Sequence, residues 1–159
     1  MGEAEYDTIR AVKQAVQIPV VANGDVTSPQ KAKFVLEATG ADAVMVGRAA
    51  QGRPWIFREI VAYLRDDRLI DAPTVAEAKA VLLEHLQHHY DFYGEFMGVR
   101  TARKHIGWYV TPLQGGEAFR QRMNALDETT MQLQAVADFF DELAERYTYL
   151  PYGVGGDSI

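Results

Sequence analysis

The stretch that decides the fold is residues 18–48, IPVVANGDVTSPQKAKFVLEATGADAVMVGR. Its first apolar run, residues 18–22, lacks polar alternation and predicts a strand buried on both faces. Ser28 then predicts the N-cap of a helix, and Gly40 predicts its left-handed end. A second buried strand is predicted over residues 43–46. Strand, helix and strand form a βαβ unit, which places two parallel strands in one sheet.

Both predicted strands run directly into glycine turns. Asn23-Gly24-Asp25 follows the first strand and Gly47-Arg48 follows the second. Ligands of parallel sheets and barrels bind at the carboxyl ends of the strands. Glycines that take positive φ let backbone N–H groups approach an anion, and a guanidinium suits a phosphate. The pattern favours a phosphate site. The alternative, that the glycines only permit tight turns, stays open.

Composition narrows the classes of protein and of site. The chain has 159 residues, a formal net charge of −6 and no cysteine. Disulfides and thiolate metal sites are excluded, and no apolar run reaches the length of a membrane helix. The acidic balance argues against a surface that binds nucleic acid throughout, so RNA binding needs a local basic patch. We expect a cytoplasmic protein without membrane attachment.

The predicted secondary structure changes near residue 70, from strands and helices to helices alone. Before it, helices are predicted over residues 5–16 and after Pro54. Beyond it no strand pattern recurs, and Thr74 with Glu77 has the spacing of a capping box. The predicted helices span residues 75–93, 99–109, 117–125 and 128–147, with Phe92 or Tyr93 among the apolar contacts of the first. They form a small bundle, and residues 148–159 are expected to be a flexible tail.

One predicted helix of the bundle carries a cluster of cations. Arg100, Arg103 and Lys104 are three and four residues apart and are expected to share a face, with His105 beside them. Such a cluster is typical of a surface that binds a phosphate backbone. From spacing alone, a solvated face that forms ion pairs is the favoured interpretation, because charged helix faces are usually of that kind.

Other chemically distinctive residues have structural interpretations that we weigh against functional ones. His85, His88 and His89 lack an acidic partner at matching spacing, so we predict no metal site. Trp108 and Tyr109 suit a core better than base stacking. A loop arginine such as Arg53 is more often solvated than bound to a phosphate.

Three segments together resemble a known family: ANGDV at residues 22–26, GADAVMVGRAAQGRPWIF at 40–57 and VRTARKHIGWY at 99–109. The sequence resembles the C-terminal half of bacterial tRNA-dihydrouridine synthases of the B type, over residues 5 to 147. The resemblance implies an α/β plus all-α fold. Residues 1–70 would be the last two strands of an FMN-binding (β/α)8 TIM barrel, and residues 71–147 a helical tRNA-binding domain. By the same resemblance, the FMN-contacting residues are Asn23, Gly24, Asp25, Gly47 and Arg48, and the tRNA-facing ones are Arg100, Arg103, Lys104 and His105.

The resemblance also implies an activity. The intact protein would be a monomer that uses NADPH and FMN to reduce uridine to dihydrouridine in tRNA. The family's proton donor is a cysteine in the part of the barrel that precedes this sequence. We therefore expect a piece that lacks the first strands, contains no catalytic residue and is inactive alone. The alternatives are another FMN or sugar-phosphate barrel enzyme, and a non-enzymatic RNA-binding helical module.

Overall fold

The structure is a computed structural model that describes residues 5–152. Its helices and strands are α1 (Tyr6–Ala15), β1 (Val21–Asn23), α2 (Pro29–Thr39), β2 (Ala43–Met45), α3 (Ile56–Asp66), α4 (Val75–Val110), α5 (Gly116–Met123) and α6 (Thr129–Ala144). The chain divides into two compact units, Met1–Ile70 and Asp71–Ile159. Among residues 5–152, no helix is both long enough and apolar enough to cross a membrane.

The first unit is built on the predicted βαβ unit. β1 and β2 pair in parallel. The Ser28 hydroxyl caps α2 by accepting from the Lys31 N–H at 3.1 Å, and Gly40 ends the helix at φ 68°. Both helix ends therefore follow the local signals of the sequence. The core of the unit consists of Ala22, Val26, Ala32, Val35, Ile56 and Ile60.

The prediction that both strands are buried on both faces is wrong for this chain. Ala22 is fully buried, but Val21 and Met45 on the opposite face of the sheet are 58% and 45% exposed. Helix α2 packs against one side of the two-stranded sheet. An apolar strand needs a layer on each side to be covered, and the described residues provide one.

The second unit is a helical bundle around α4. The capping box is confirmed: the Thr74 side chain accepts from the Glu77 N–H, and the Glu77 side chain accepts from the Thr74 N–H. The two helices predicted over residues 75–93 and 99–109 meet at Gly94, whose φ of 70° and ψ of 175° kink α4. Helices α5 and α6 pack on it. The largest fully buried side chains of this unit include Leu82, Leu86, Ile106, Val110, Met123, Val136 and Phe140.

Residues 148–152 do not form the flexible tail expected there. The Val75 N–H donates to the Thr148 carbonyl at 3.0 Å, and the Leu150 N–H donates to the Pro73 carbonyl at 3.0 Å. Leu150 is buried. This segment thus satisfies a backbone donor at the start of α4, which the sequence pattern does not reveal. The rest of the predicted tail, residues 153–159, lies outside the described residues.

Candidate functional site

The turns after β1 and β2 leave the same edge of the sheet. Asn23 pairs opposite Met45 at the ends of the two parallel strands. Gly24 and Val46 are therefore the first residues beyond the paired positions. This is the edge at which parallel sheets bind ligands.

The first turn adopts a conformation that few residues tolerate. Gly24 has φ 143° and Asp25 has φ 46°. The Tyr6 hydroxyl of α1 donates to the Gly24 carbonyl at 3.0 Å and holds the turn. Glycine reaches such φ values without a steric penalty, and aspartate tolerates the left-handed region better than most residues.

The second turn differs from the expectation of positive φ at both glycines. Gly47 has φ −97°. A Cβ built there would meet only the Met45 Sδ, at 4.0 Å. The φ of Gly47 is not left-handed, but its ψ of −107° lies outside the regions that residues with a side chain favour, so the backbone here still suits glycine. What glycine leaves at Gly47 is an exposed backbone with open space around it.

Arg48 connects the two turns. It begins a 3-10 turn, Arg48–Ala50, and its Nη2 lies 3.4 Å from the Asp25 Oδ1. The arginine side chain is 70% exposed, so it is accessible at the sheet edge. The edge therefore combines an accessible cation, a carboxylate and glycine backbone within a few residues of each other.

Arg53, for which the sequence left a ligand or solvated role open, is held by an ion pair. Its Nη2 donates to the Glu59 Oε2 at 2.5 Å, and Glu59 is buried on α3. The Arg53 Nε is also buried and has no hydrogen-bond partner. Sequence reasoning missed this pair, although a carboxylate beside Ile56 and Ile60 on the buried face of α3 was a signal for it.

In the second unit, the structure separates the cations that the spacing placed on one face. The Arg100 guanidinium carbon lies 4.1 Å from the centre of the Phe96 ring, and the Lys104 Nζ lies 5.0 Å from that of Trp108. Both cations are exposed. They lie one helical turn apart, so together they form a basic strip on α4.

Arg103 instead belongs to the framework of the bundle. Its Nη2 donates to the Leu126 carbonyl at 3.1 Å and to the Asp127 Oδ1 at 2.7 Å. Its Nε is buried without a partner. The expectation that Arg103 shares a phosphate-facing role with its neighbours does not fit these contacts. The Arg103 guanidinium is already hydrogen-bonded to the connection between α5 and α6 in the absence of RNA.

His105 packs against His85 and His89, and these three form a histidine cluster. The ring centres of His85 and His89 each lie 5.1 Å from that of His105. Burial lowers the pKa of all three rings, and their mutual repulsion lowers the pKa of His89 and His105 further. His105 is therefore neutral near neutral pH, so it would offer RNA a hydrogen bond rather than a charge.

The histidine cluster differs from the trio considered as metal ligands in the sequence. His88 is exposed and makes no ring contact with it, although the pKa of His85 is lowered by burial, the larger cause, and then by the charge of His88. The His89 Nε2 is hydrogen-bonded to the Thr101 hydroxyl at 2.7 Å. Across residues 5–152, no group of three or more His, Cys, Asp or Glu side chains is arranged to hold a metal ion.

The aromatic residues of α4 divide into core and surface. Tyr109 is buried, which removes it as a stacking residue, whereas Trp108 is half-buried. Of the two residues predicted as alternatives for an apolar contact, Phe92 is 81% exposed, whereas the ring centre of Tyr93 lies 4.7 Å from that of His89. The sequence feature that marks the end of the regular helical pattern here is Gly94, where α4 kinks.

Comparison with known proteins finds a matching family model and several similar relatives. The family model described as Dihydrouridine synthase (Dus) matches residues 1–144. A tRNA-dihydrouridine synthase B of Pseudomonas putida is 60% identical over 141 residues, which cover 89% of this chain and 42% of that protein. Proteins of the same name from Vibrio vulnificus and Shewanella oneidensis are 54% and 55% identical over 90% and 91% of this chain, and 44% of each relative is covered.

The chain thus spans about two fifths of the length of these curated relatives. The family match covers the sheet edge of the first unit and helices α4, α5 and α6 of the second. Because the match includes far more than half of the sequence, the chain belongs to the dihydrouridine synthase family.

Proposed function

We propose that this chain serves the reduction of uridine to dihydrouridine in tRNA, with FMN as the cofactor and NADPH as the reductant. Dihydrouridine synthases are flavin-dependent enzymes built on a TIM barrel. The observation that carries the proposal is the meeting of Gly24, Asp25 and Arg48 at one edge of a parallel sheet. The family match favours this activity over a sugar-phosphate enzyme on the same fold.

The residues at the sheet edge fit the phosphate of FMN. Arg48 offers an exposed guanidinium, and Gly47 leaves backbone that a ligand can approach. The Asp25 carboxylate would repel a phosphate, so we assign it to orienting the Arg48 guanidinium instead. Asn23 ends β1 beside these residues and supplies an amide for a polar atom of the cofactor.

When bound, the flavin supplies the hydride chemistry, and this chain contributes binding and electrostatics. Among residues 5–152, Arg48 supplies the permanent cation at this edge. Loss of a charge-assisted hydrogen bond costs about 1.5–3 kcal/mol, which is roughly a 10- to 100-fold change in affinity. Arg48 is thus expected to be the side chain that contributes most to the preference of this edge for FMN over uncharged riboflavin.

The helical unit would contact the tRNA. Arg100 and Lys104 are exposed and one helical turn apart, which suits contact with successive phosphates. Arg103 supports them indirectly through its bonds to Leu126 and Asp127. His105 is neutral near neutral pH because burial lowers its pKa, and we assign it a hydrogen bond to the RNA. We further propose that the whole protein is monomeric and works in the cytoplasm.

A chimera tests the proposal. The segment of the Pseudomonas putida relative that matches this chain is replaced by the corresponding residues of this chain. We expect dihydrouridine in the tRNA of a host whose own synthase genes are deleted, measured by mass spectrometry. In the purified chimera, Arg48→Gln should weaken FMN binding by at least tenfold and leave riboflavin binding unchanged.

Arg68→Gln is the matched control, since Arg68 is also an exposed arginine of the first unit. It should leave FMN binding and dihydrouridine content at the level of the unmodified chimera. Equal losses of FMN and riboflavin binding in Arg48→Gln would refute the phosphate assignment. A folded chimera that binds neither flavin nor tRNA would refute the function.

A further inference from the structure

Four apolar side chains surround the kink of α4 and point away from the bundle core. Phe92, Tyr93, Phe96 and Met97 are 81%, 51%, 67% and 49% exposed. We call this surface the kink face. Three of its members are aromatic, and they lie within six consecutive residues. A concentration of exposed rings on one short segment indicates an interaction surface.

The kink face is held in place by contacts on both sides of Gly94. The Glu95 Oε1 accepts from the Thr129 N–H at 3.2 Å, which ties the kink to the start of α6. A Cβ on Gly98 would lie 3.0 Å from the Tyr90 Cδ1, so the chain is closely packed beneath the kink. The Tyr90 hydroxyl in turn donates to the buried Gln132 at 2.8 Å. The backbone that carries the rings is therefore fixed before a ligand binds, which lowers the entropy cost of binding.

Cations are interleaved with the rings. Arg100 lies over the Phe96 ring, within the range of a cation–π contact, and one turn later Lys104 lies over Trp108. Glu95 is the one acidic residue among residues 92–97, and its carboxylate accepts a hydrogen bond from the Thr129 N–H at the start of α6. In a chain of net charge −6, this strip is a local positive surface, and it is complementary to a polyanion.

We infer that the kink face is a stacking platform for unpaired bases of RNA, with Arg100 on the adjoining phosphate. The inference rests on the proposed function and specifies the form of RNA that the helical unit recognises. Bases in a duplex are stacked on each other and hide their faces, whereas bases in a loop can stack on aromatic side chains. Phe92 and Phe96 provide the most exposed rings for such stacking.

Stacking and charge predict different responses to mutation. Removal of one ring should weaken binding of single-stranded RNA by about tenfold or more. The slope of affinity against salt concentration should stay unchanged, because every cation that neutralises a phosphate is still present. Removal of a cation should instead flatten that slope by about 0.7 for each phosphate that the cation neutralises.

The experiment uses the full 159-residue chain and two fluorescein-labelled probes, a decamer of uridylate and an RNA duplex of twenty base pairs. Fluorescence anisotropy is measured over a salt series for wild type, Phe92→Ala, Phe96→Ala, Lys104→Gln and Phe57→Ala. Phe57 is the matched control, since it is a half-exposed phenylalanine of the other unit. A second readout is the emission of Phe96→Trp, which the decamer should quench on stacking, with Phe57→Trp as its control.

We expect the decamer to bind more tightly than the duplex, both kink-face variants to bind it at least tenfold more weakly, and Phe57→Ala to match wild type. If Lys104→Gln weakens binding but both ring variants bind as wild type, the stacking platform is refuted while RNA binding stands. If the chain binds neither probe, the RNA-binding part of the proposed function fails together with the inference. If the ring variants change only the oligomeric state measured by light scattering, the kink face joins copies of the chain and the inference is wrong.

Discussion

A buried hydrogen bond between Tyr90 and Gln132 supports the part of α4 that carries the kink face. The Tyr90 hydroxyl donates to the Gln132 Oε1 at 2.8 Å, and the Gln132 Nε2 donates to the Val99 carbonyl at 3.3 Å. Gln132 is fully buried, and burial raises the pKa of Tyr90 to about 12. The bond is therefore made between two groups that water does not reach.

Removal of both partners should cost less than the sum of the two single removals. Tyr90→Phe leaves the Gln132 Oε1 without this donor, and Gln132→Met leaves the Tyr90 hydroxyl without its acceptor. Each buried unsatisfied group costs about 1–3 kcal/mol in the free energy of unfolding. In the double variant neither orphan remains, and methionine fills a space of similar shape. We expect the double variant to be less destabilised than the sum of the singles by about 1–2 kcal/mol.

The assay is urea unfolding at pH 7 in a Trp55→Phe background, in which Trp108 of the second unit reports alone. Tyr93→Phe is the control, since Tyr93 is half-exposed and its change should stay within about 0.5 kcal/mol of wild type. Strict additivity of the two single variants would refute the reasoning. It would mean that the pair does not act as a unit in the folded bundle.

Three further predictions concern charged groups. Arg103→Gln should lower the free energy of unfolding of the second unit by about 1–3 kcal/mol in urea and leave the salt slope of RNA binding unchanged. Lys104→Gln should leave that free energy unchanged and flatten the salt slope. The pKa values of the histidine cluster are lowered in the folded chain. As pH falls below 6.5, the model value for histidine, the unfolded chain therefore binds more protons than the folded one, and the second unit should lose stability. Thermal melts between pH 7 and 5 should show this loss, and His105→Gln should reduce it; a loss of the same size in that variant would contradict the assignment. Arg53→Gln should destabilise the first unit by about 2–4 kcal/mol, since it leaves Glu59 buried without its cation. The double variant Arg53→Gln/Glu59→Gln should be more stable than Arg53→Gln. Unfolding of the first unit is followed by Trp55 fluorescence.

Some interactions of the framework are determined by the sequence alone because they act over a few residues. Ser28 and Gly40 bound α2, and Thr74 with Glu77 starts α4. Each of these signals satisfies backbone groups within one turn of the chain, so local chemistry is sufficient. The pairing of two parallel strands also follows, since a short crossover through one helix admits little else.

The tertiary structure decided which of these residues are available to a ligand. Spacing made Arg100 and Arg103 equivalent, but Arg103 meets Leu126 and Asp127 more than twenty positions away, and Arg100 meets solvent and a ring. Likewise, the sheet face of Val21 is exposed because burial depends on a second layer that a strand pattern does not specify. A helical or strand period describes the direction of a side chain from its own element, whereas availability depends on what the rest of the chain places in that direction.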